Sequence, residues 1–525
     1  MLLSLLRLLT FAAVLAPGAW YAWQWRGMPH ASEYHDDGLY FVSAKSLAET
    51  GDYVIESLPA QPKQTKYPPL WPAVLSIAWR WEPHYPDNLP VAMLLCWMWM
   101  PLTLVVYRRW LQLAGFTPDV VLLLGGCWAL NPYVVLFGTT MLSEMQFTFL
   151  LLAAMLCMTR TASRWAALAG LLAGLAFLTR TAGVALLPAA VLAYLLRDRF
   201  REAGAFLAAS LPFAVGWGVW SAMNRGDGTD PVTLYYTNYF GDYLANFHWR
   251  EAHIYLWKNT DGILHGLGAL LLPDITQSLF EKVLAEVLAI AGIMGVVRLV
   301  RENRESVFVP YAAFAAVYSL LLVAWYFPPN ERFMLPVVPL WLAGVYTELK
   351  RLGQNIYAVF RKPELGQKIA GGVIASLLAV VVVFCGLRQW HLLTDGLPRF
   401  YEDHAERLRN SEGAMNWIRE NVGVEARVLS ANDPLLYLQT GRRGAGLFLP
   451  TIHWYREDNA ARTADLAAAP AHGKALKLEY LLLNEWDWSR DMPSEEHAKL
   501  MTTLREDPRL ELLFRSGTTG VYRIR

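Results

Sequence analysis

Charged residues are scarce in this chain of 525 residues. Asp, Glu, Lys and Arg together make up 17% of the sequence, whereas soluble proteins carry about a quarter. Hydrophobic residues reach 55% and aromatic residues 13%, which is typical of a chain surrounded mostly by lipid. The composition therefore indicates a polytopic membrane protein.

Net charge and cysteine are also low. The formal net charge is +1, and the basic residues form short clusters without a continuous stripe, which argues against a nucleic-acid partner. The four cysteines lie inside apolar runs and lack Cys-x-x-Cys spacing, so we expect core thiols and neither disulfides nor metal ligands. They are Cys96, Cys127, Cys157 and Cys385.

Long apolar segments dominate the first 390 residues. Segments of about 17–25 residues are long enough to cross a bilayer, and the sequence contains about eleven of them. The first lacks a small-residue cleavage site and continues into several tryptophans, so we interpret it as a retained span and not as a signal peptide. The segments lie near residues 3–24, 89–107, 119–138, 143–159, 164–180, 182–196, 204–223, 283–300, 307–327, 332–348 and 369–388.

Basic residues occur in every second connection, which predicts the orientation of the chain. By the positive-inside rule these connections and the N-terminus are cytoplasmic, and the alternate loops, including 25–88 and 224–281, lie outside. The segment 68–81, "PPLWPAVLSIAWRW", is too short to cross and is predicted to be an interfacial amphipathic helix. We expect a multi-pass membrane protein with a cytoplasmic N-terminus. The basic clusters span residues 108–109, 160–164, 197–201, 298–304 and 350–368.

The sequence becomes more polar after about residue 395. Residues 401–423 have helical periodicity ending at Gly423, and "ARVLSAN" and "YLLLNE" are typical of short strands. The last residues, "LELLFRSGTTGVYRIR", predict a hairpin. We therefore predict a transmembrane domain over 1–390 and a soluble, periplasmic or extracytoplasmic α/β domain over 396–525.

Six positions carry charge where it is costly, at the outer ends of apolar segments. Such groups face a wet cavity or a partner, since burial in lipid costs several kcal/mol. Carboxylates and cations together on one leaflet suit a phosphate group held beside a hydroxyl that needs a base. The residues are Asp36 and Asp37, Lys66, Glu144, Arg180 and Arg332.

The acidic residues also have structural explanations. Asp36 or Asp37 could cap a helix that Gly51 terminates, and each member of the pair could do a different job. Glu144 could be a first-turn acid stabilised by the helix dipole.

The cations have structural explanations too. Arg180 could be a flanking arginine, although it lies on the side where positive charge is disfavoured. Arg332 could pair with Glu331 at the surface. Lys66 could anchor its loop to lipid headgroups.

An aromatic segment lies in the second large outer loop. It reads "TLYYTNYFGDYLANFHWREAHIYLW", residues 233–257. We favour an interfacial aromatic belt over a wall for a lipid chain or sugar ring. His35 and the histidines of this loop show no zinc-site spacing.

Five motifs resemble the GT-C glycosyltransferases, in the branch with bacterial aminoarabinose transferases and protein O-mannosyltransferases. "DDGLYFVSAKSLAETGDYV" is similar to the first-loop motif, an acidic pair followed by a Tyr, a small-residue helix and Gly-Asp-Trp/Tyr. Further similar segments follow in the same order across most of residues 30–345, and "NWIREN" with "ANDPLLYLQTGR" resembles the soluble domain of some bacterial members. The segments in order are "KYPPLWP", "MLSEMQF", "GLLAGLAFLTRTAGVALLP" and "ERFMLPVVPL".

The resemblance implies an inverting transfer from a sugar on a polyprenyl monophosphate. It gives Asp36 the role of catalytic base, although Asp36 and Asp37 could exchange roles. It implies that Arg180 and Arg332, with Lys66, bind the donor phosphate. Pocket residues would be Glu144, Tyr40 and Tyr67.

Two departures from the family pattern concern metal binding. Asp37 stands where many members have Glu, and Tyr67 precedes Pro-Pro where some relatives carry a charged residue. A divalent metal remains open, and no metal ligand is assigned.

The hypothesis from the sequence is a GT-C-like, polytopic α-helical membrane protein that acts as a hexosyl- or pentosyltransferase of the cell envelope. Its partners would be the bilayer, a polyprenyl-phosphate-linked sugar donor and a glycan, lipid or protein acceptor. One alternative is a transporter or flippase of lipid-linked sugars, although such proteins commonly show internal repeats that are not evident here. Another is a non-catalytic polymer-assembly or sensing protein.

Overall fold

The computed structural model describes residues 2–226, 231–273, 275–276, 278–302, 307–360, 365–447 and 449–525. Parts of the predicted loops, including residues 303–306 and 361–364 of the basic connections, lie outside the described residues. Apolar and helix-forming runs make most of the first 390 residues α-helical. These helices are α1 (Leu2–Ala13), α2 (Ala16–Gln24), α3 (Asp36–Glu49), α4 (Leu70–Trp81), α5 (Leu89–Trp97), α6 (Trp99–Leu113), α7 (Pro118–Ala129), α8 (Pro132–Gly138), α9 (Glu144–Met158), α10 (Ser163–Thr179), α11 (Leu186–Leu195), α12 (Phe200–Asn224), α13 (Pro231–Thr237), α14 (Tyr239–Asn246), α15 (Ala252–Ala269), α16 (Leu279–Glu302), α17 (Phe308–Val323), α18 (Glu331–Met334), α19 (Val338–Phe360) and α20 (Leu365–His391).

Helices long and apolar enough to cross a membrane occur at four places in the described part of the chain, with a fifth if one bent pair is a single span. The bent pair, α7 and α8, turns by 60°. Shorter apolar helices occupy four further predicted spans, at Glu144–Met158, Ser163–Thr179, Thr181–Leu195 and Phe308–Val323. The total of about eleven spans stays a prediction. The four long helices are Leu89–Leu113, Phe200–Asn224, Leu279–Glu302 and Gly366–Asn421.

Besides the bent pair α7 and α8, which divides the predicted span 119–138, two further predicted spans are interrupted, and proline accounts for both of these interruptions. The first, 3–24, is divided into α1 and α2, with Pro17 in the first turn of α2. The tenth, 332–348, begins with the short helix α18 and a 3₁₀ turn at Leu335–Val337 before α19 starts. Proline lacks the N–H that a continuous helix needs, so it is placed at helix starts.

Glycines bring α16 and α19 together. A Cβ atom at Gly344 would lie 2.2 Å from the carbonyl oxygen of Gly292, and one at Gly295 would lie 2.0 Å from the carbonyl oxygen of Gly344. Small residues at such crossings allow close backbone approach between membrane helices. The glycines therefore set the distance between these two helices.

We expect Gly344→Ala to lower the thermal unfolding midpoint of the protein in detergent. The added methyl group would push two backbones apart, which costs about 1–3 kcal/mol in a well-packed interior. Gly216→Ala is the matched control, since a Cβ at Gly216 in α12 meets nothing within 4 Å. An equal effect of both substitutions would contradict the role of this crossing.

The C-terminal residues form a small sheet with flanking helices. Strand order is β2-β1-β3-β5-β4. β1 pairs in parallel with β2 and β3, and β5 pairs antiparallel with β3 and β4. The predicted strands and the terminal hairpin are confirmed. The elements are α21 (Leu397–Asn421), β1 (Val428–Ser430), α22 (Asp433–Thr440), β2 (Gly444–Ala445), α23 (Ile452–Tyr455), α24 (Asn459–Ala467), α25 (Ala469–Ala475), β3 (Tyr480–Leu483), α26 (Ser494–Arg505), β4 (Leu510–Ser516) and β5 (Thr519–Ile524).

A continuous helix joins the two predicted domains. α20 runs into α21 through a π-helical segment at Leu392–Gly396, within the helix Gly366–Asn421. The main hydrophobic core includes buried residues of both parts, such as Leu151 in α9 and Leu481 in β3. The division into 1–390 and 396–525 stays a prediction.

Candidate functional site

A large cavity of about 1050 Å³ lies between the start of α3, the loop that precedes α4, the segment between α10 and α11, helices α12 to α15, and the end of α17 with α18. Much of its wall is aromatic, and a cluster of charged groups lies within that wall. Six of the eight residues that the sequence predicted for the site line it: Asp36, Tyr40, Lys66, Tyr67, Arg180 and Arg332. Residues from distant parts of the chain therefore meet here.

Asp36 begins α3 and presents its carboxylate to the cavity. Oδ2 accepts a hydrogen bond from Nη2 of Arg332 at 2.9 Å, and Oδ1 accepts one from the hydroxyl of Tyr67. Its side chain is 29% exposed. Burial raises the pKa of Asp36, but the charges of Arg332 and Lys66 outweigh burial and lower it to about 2. The carboxylate is therefore ionised at neutral pH.

Glu144 holds the two arginines together from behind the cavity wall. It lies in the first turn of α9 and is fully buried. One carboxylate oxygen, Oε1, accepts hydrogen bonds from both Arg180 and Arg332. The side chains of these arginines are only 10% and 11% exposed. The buried carboxylate thus fixes two guanidinium groups side by side.

Lys66 lies among tyrosine rings. Its Nζ is 3.6 Å from the ring centre of Tyr235 and 5.2 Å from that of Tyr67, within cation–π range. Burial lowers the pKa of Lys66 to about 7, against the opposing attraction of Asp36 and Asp242. A third basic group therefore faces the cavity, and with this pKa it is partly protonated at neutral pH.

Tyr40 and Tyr67 form part of the wall next to Asp36. Their rings meet edge to face at 4.8 Å, and the hydroxyl of Tyr40 lies 3.3 Å from Oγ of Ser143. Tyr67 therefore binds the candidate base directly, and Tyr40 supports Tyr67.

Asp37 does not line the cavity. Its carboxylate is fully buried and accepts hydrogen bonds from the backbone N–H groups of Ser32 at 2.8 Å and Tyr34 at 3.0 Å. Burial raises its pKa to about 7. Asp37 therefore stabilises the turn before α3. The sequence suggested that it could cap the helix, whereas the N–H groups that it accepts from belong to the preceding turn. Of the acidic pair, Asp36 has the geometry of a reacting group.

The surroundings of the acidic pair do not fit a divalent metal. Within the described residues, no group of three or more His, Cys, Asp or Glu side chains could hold a metal ion. The carboxylate of Asp36 accepts hydrogen bonds from Arg332 and Tyr67, whereas that of Asp37 accepts them from backbone N–H groups. The two carboxylates thus have separate partners and do not converge on one point.

No protein-family model and no curated protein sequence matches the chain. The similarity is found among solved structures. The oligosaccharyltransferase of Archaeoglobus fulgidus, tethered to an acceptor peptide, aligns over 93% of this chain and 69% of its own, with 13% identity and a TM-score of 0.53. The chain has the GT-C fold. ArnT from Cupriavidus metallidurans also aligns at 13% identity over 93% of both chains, with TM-scores of 0.49 without ligand and 0.46 with undecaprenyl phosphate.

In this GT-C fold the C-terminal part contacts the turn that precedes Asp36. Asn432 contacts Ser32 twice, through Oδ1 and the Ser32 Oγ at 2.7 Å and through Nδ2 and the Ser32 carbonyl oxygen at 2.9 Å. Oδ1 of Asp433, which is fully buried, lies 2.9 Å from Nε2 of His35. His35 has a φ of +60°, a conformation that a non-glycine residue rarely adopts.

Gly38 allows this contact. A Cβ atom there would lie 2.7 Å from Cβ of Pro434 and 2.0 Å from Oγ of Ser32. The sequence "NDP" at 432–434 is a helix-start signal, with Asn at the cap and Pro in the first turn. It therefore marks α22, but it does not reveal a partner some 400 residues away.

The aromatic segment 233–257 supplies much of the cavity wall. Sequence analysis favoured an interfacial aromatic belt over a cavity wall for this segment, but many of its side chains do form such a wall. Trp257 belongs to the same segment but does not line the cavity, and its side chain is 71% exposed. The residues of the segment that face the cavity include Tyr235, Phe240, Tyr243, Phe247, Trp249 and Tyr255.

Proposed function

We propose that the protein is an inverting glycosyltransferase that uses a polyprenyl-monophosphate-linked sugar at the extracytoplasmic face of a bacterial plasma membrane. One observation carries the proposal: Asp36 lines the same cavity as Arg180, Arg332 and Lys66. A carboxylate can serve as a base for an acceptor hydroxyl, and the cations can bind a phosphate. The GT-C fold is consistent with this activity.

The proposed reaction is a single displacement. Asp36 takes the proton from the acceptor hydroxyl as that oxygen bonds to the anomeric carbon. The bond between the anomeric carbon and the phosphate oxygen breaks, and its electron pair leaves with the lipid phosphate. Attack opposite the leaving group inverts the anomeric configuration, and the proton remains on Asp36 until solvent removes it.

The charges around the cavity match this reaction. Asp36 and Glu144 are two carboxylates that balance Arg180 and Arg332, and Lys66, with a pKa of about 7, adds a further positive charge when it is protonated. A sugar-phosphate diester carries a single negative charge, and the released monoester carries about −1.5 to −2 at pH 7 by analogy with phosphorylated side chains. The fixed cations therefore stabilise the charge that develops on the leaving phosphate.

The size and lining of the cavity suit a lipid-linked donor. At about 1050 Å³ it is at the upper limit of typical small-molecule pockets, which occupy about 300–1,000 Å³. Apolar groups that line the same cavity include Trp217, Leu244, Leu256 and Phe333. A phosphate can therefore lie at the cations while the first prenyl units contact apolar side chains.

Donor binding would also activate the base. In the free protein, Arg332 and Lys66 hold the pKa of Asp36 at about 2, which is low for a general base at neutral pH. A bound phosphate would share the hydrogen bonds of Arg332 and cancel part of its charge. The pKa of Asp36 would then rise, and proton transfer would become more favourable only when the donor is present.

The sugar is a hexose or pentose, and the acceptor is a glycan, lipid or protein of the cell envelope. A divalent metal has no role in the proposed step, because the side chains near Asp36 do not fit one. The N-terminus would be cytoplasmic and the C-terminal part extracytoplasmic.

The deciding experiment is transfer of a labelled sugar. Purified protein is incubated with radiolabelled polyprenyl-phosphate sugars and an envelope extract as acceptor source, and the product is separated from the donor. We expect the label to leave the lipid and appear on an acceptor. If the protein instead moves intact donor across the bilayer of vesicles without breaking the sugar–phosphate bond, it is a flippase and the proposal is wrong.

Contact with the C-terminal part is expected to position the base. Asp433→Ala removes the carboxylate that holds His35, the residue next to Asp36. We expect kcat to fall about tenfold with little change in donor KM, since the phosphate-binding cations keep their partners. Asp433→Asn, which retains an acceptor oxygen, should recover much of the loss. Asp403→Ala, at an exposed position of α21, is the control; a change of donor KM alone would contradict the positioning role.

A further inference from the structure

A second cavity of about 260 Å³ lies between the C-terminal part and residues 29–33. It is lined by residues that directly follow two strands, among them Ala431 and Asn432 after β1 and Asn484 after β3. These strands pair in parallel from Val428↔Tyr480 to Ser430↔Leu482. Their carboxyl ends therefore open at the same edge of the sheet, facing the cavity.

The strand order gives this position significance. From β1 the chain passes to β2 on one side, and then crosses back to β3 on the other side of β1. Neighbouring parallel strands whose connections diverge in this way form a topological switch point, where open α/β sheets bind ligands. The cavity at the ends of β1 and β3, which we call the switch-point cavity, occupies that place.

The lining of the switch-point cavity contains equal numbers of basic and acidic side chains. Its lining includes the basic side chains of His404, Arg407 and Arg490 and the acidic side chains of Glu33, Asp487 and Asp491. Glu33 pairs with Nε2 of His404 at 2.6 Å and with Arg490. A free phosphate would meet three carboxylates, and a cation would meet three basic groups. The lining therefore favours a ligand without net charge that both donates and accepts hydrogen bonds.

Indole rings complete the lining. Trp486 and Trp488 both face the cavity and are partly exposed. Aromatic faces pack against the apolar face of a sugar ring, while carboxylates, guanidinium groups and amides bind its hydroxyls. Trp488 has a φ of +60°, and such sparsely populated backbone conformations cluster at ligand sites.

We propose that the switch-point cavity binds one neutral sugar unit of the acceptor glycan. Its volume is just below the range of about 300–1,000 Å³ that holds drug-sized ligands, which suits a single ring. Glu33 belongs to the turn whose neighbouring residues, Ser32 and Tyr34, hold Asp37. A sugar in this cavity thus lies against the turn that carries Asp36. That the sugar belongs to the acceptor rests on the proposed function, whereas sugar binding itself does not.

Saturation-transfer NMR on the full-length protein tests the binding. The protein is held in an amine-oxide detergent, because maltoside detergents carry sugars themselves. The probes are methyl β-D-glucoside, methyl β-D-galactoside, methyl α-D-mannoside and methyl N-acetyl-β-D-glucosaminide. We expect saturation transfer to at least one of them, reduced about tenfold or more in apparent affinity by Trp486→Ala and by Asp491→Asn.

Control variants separate the two cavities. Trp257→Ala, at an exposed tryptophan outside both linings, should retain the signal. Arg180→Gln, in the large cavity, should retain it too. Gel-filtration profiles and thermal midpoints matching wild type show that each variant is folded, and Asp491→Asn changes a partly exposed side chain without changing its size.

Three results would overturn the proposal. They are no saturation transfer to any probe, a signal unchanged in folded Trp486→Ala and Asp491→Asn, and displacement of the sugar by inorganic phosphate. A signal lost in Arg180→Gln but kept in Trp486→Ala would place the sugar in the large cavity and also overturn it. Failure of labelled-sugar transfer would contradict the proposed function but would not contradict sugar binding in the switch-point cavity, which the NMR experiment tests independently.

Discussion

Asp36→Asn is expected to abolish sugar transfer while leaving donor binding close to that of wild type. Asn has nearly the same shape: its Oδ1 can accept the hydrogen bond from Arg332 while its Nδ2 donates to the hydroxyl oxygen of Tyr67, the two partners of Asp36. It cannot accept the proton of the acceptor hydroxyl. Loss of a general base typically costs about a hundredfold to ten-thousandfold in rate. Single-turnover transfer with saturating donor measures the loss, and equilibrium binding of the labelled donor measures the retained affinity.

Two aspartates provide comparison for this substitution. Asp52→Asn changes an exposed carboxylate of the same predicted loop, paired with Lys63 at 2.9 Å, and should leave the rate unchanged. Asp37→Asn should instead lower the thermal midpoint, because Asp37 accepts two backbone N–H groups from the preceding turn. If Asp36→Asn retained full activity while Asp37→Asn remained folded and inactive, the roles of the pair would be reversed.

The pH dependence of wild type follows from the same carboxylate. Since the pKa of Asp36 is lowered to about 2, this group stays ionised in the free protein as the pH falls from about 7 to about 5. The ratio kcat/KM reports on the free enzyme, so it should not decrease through protonation of Asp36 over that interval. The kcat profile reports the donor complex, where the pKa of Asp36 is expected to be higher.

Local sequence signals predicted the elements whose formation depends on neighbouring residues. The terminal hairpin follows from two β-rich runs around Gly517, which has a φ of +57°, and β4 pairs with β5 as expected. The helix 68–81 appears as α4. Hydropathy located the apolar helices, but proline positions and tertiary packing divided some of them into shorter pieces.

The site was partly predictable because charge in an apolar region needs a partner. Because unpaired charge in an apolar region is unfavourable, Glu144, Arg180 and Arg332 stood out in the sequence. The predicted topology placed all three on the same side of the membrane. Sequence could not show that a single oxygen of Glu144 binds both arginines. Nor could it separate Asp36 from Asp37, since the difference is which way each adjacent side chain points.

Long-range contacts of the C-terminal part could not be predicted from the sequence either, because they depend on tertiary packing and not on neighbouring residues. Asn432 and Asp433 have ordinary helix-start chemistry, and their contacts with Ser32 and His35 depend on how α20 and α21 carry the sheet back to the first loop. The switch-point cavity likewise depends on the strand order, which periodicity does not encode.

Arg332→Gln is expected to weaken donor binding and slow transfer together. Arg332 binds both Asp36 and Glu144, whereas Arg180 donates hydrogen bonds to Glu144 and Ser143 and does not contact Asp36 in this way. Truncating one partner of a buried, hydrogen-bonded charge pair costs about 2–5 kcal/mol in binding systems. The donor Kd should therefore rise at least about tenfold, and Asp36 should also lose the group that orients it.

Comparison with Arg180 distinguishes phosphate binding from base positioning. Arg180→Gln should raise the donor Kd but lower the single-turnover rate less than Arg332→Gln, because Asp36 keeps its partner. Arg332→Lys should recover part of the affinity and little of the rate, since a lysine supplies charge without the planar fork that reaches two carboxylates. Arg250→Gln, at an exposed arginine of the second large predicted outer loop, should change neither quantity. If Arg332→Gln bound donor as tightly as wild type, the phosphate would lie elsewhere in the cavity, and the surplus positive charge at Arg180, Arg332 and Lys66 would need another explanation.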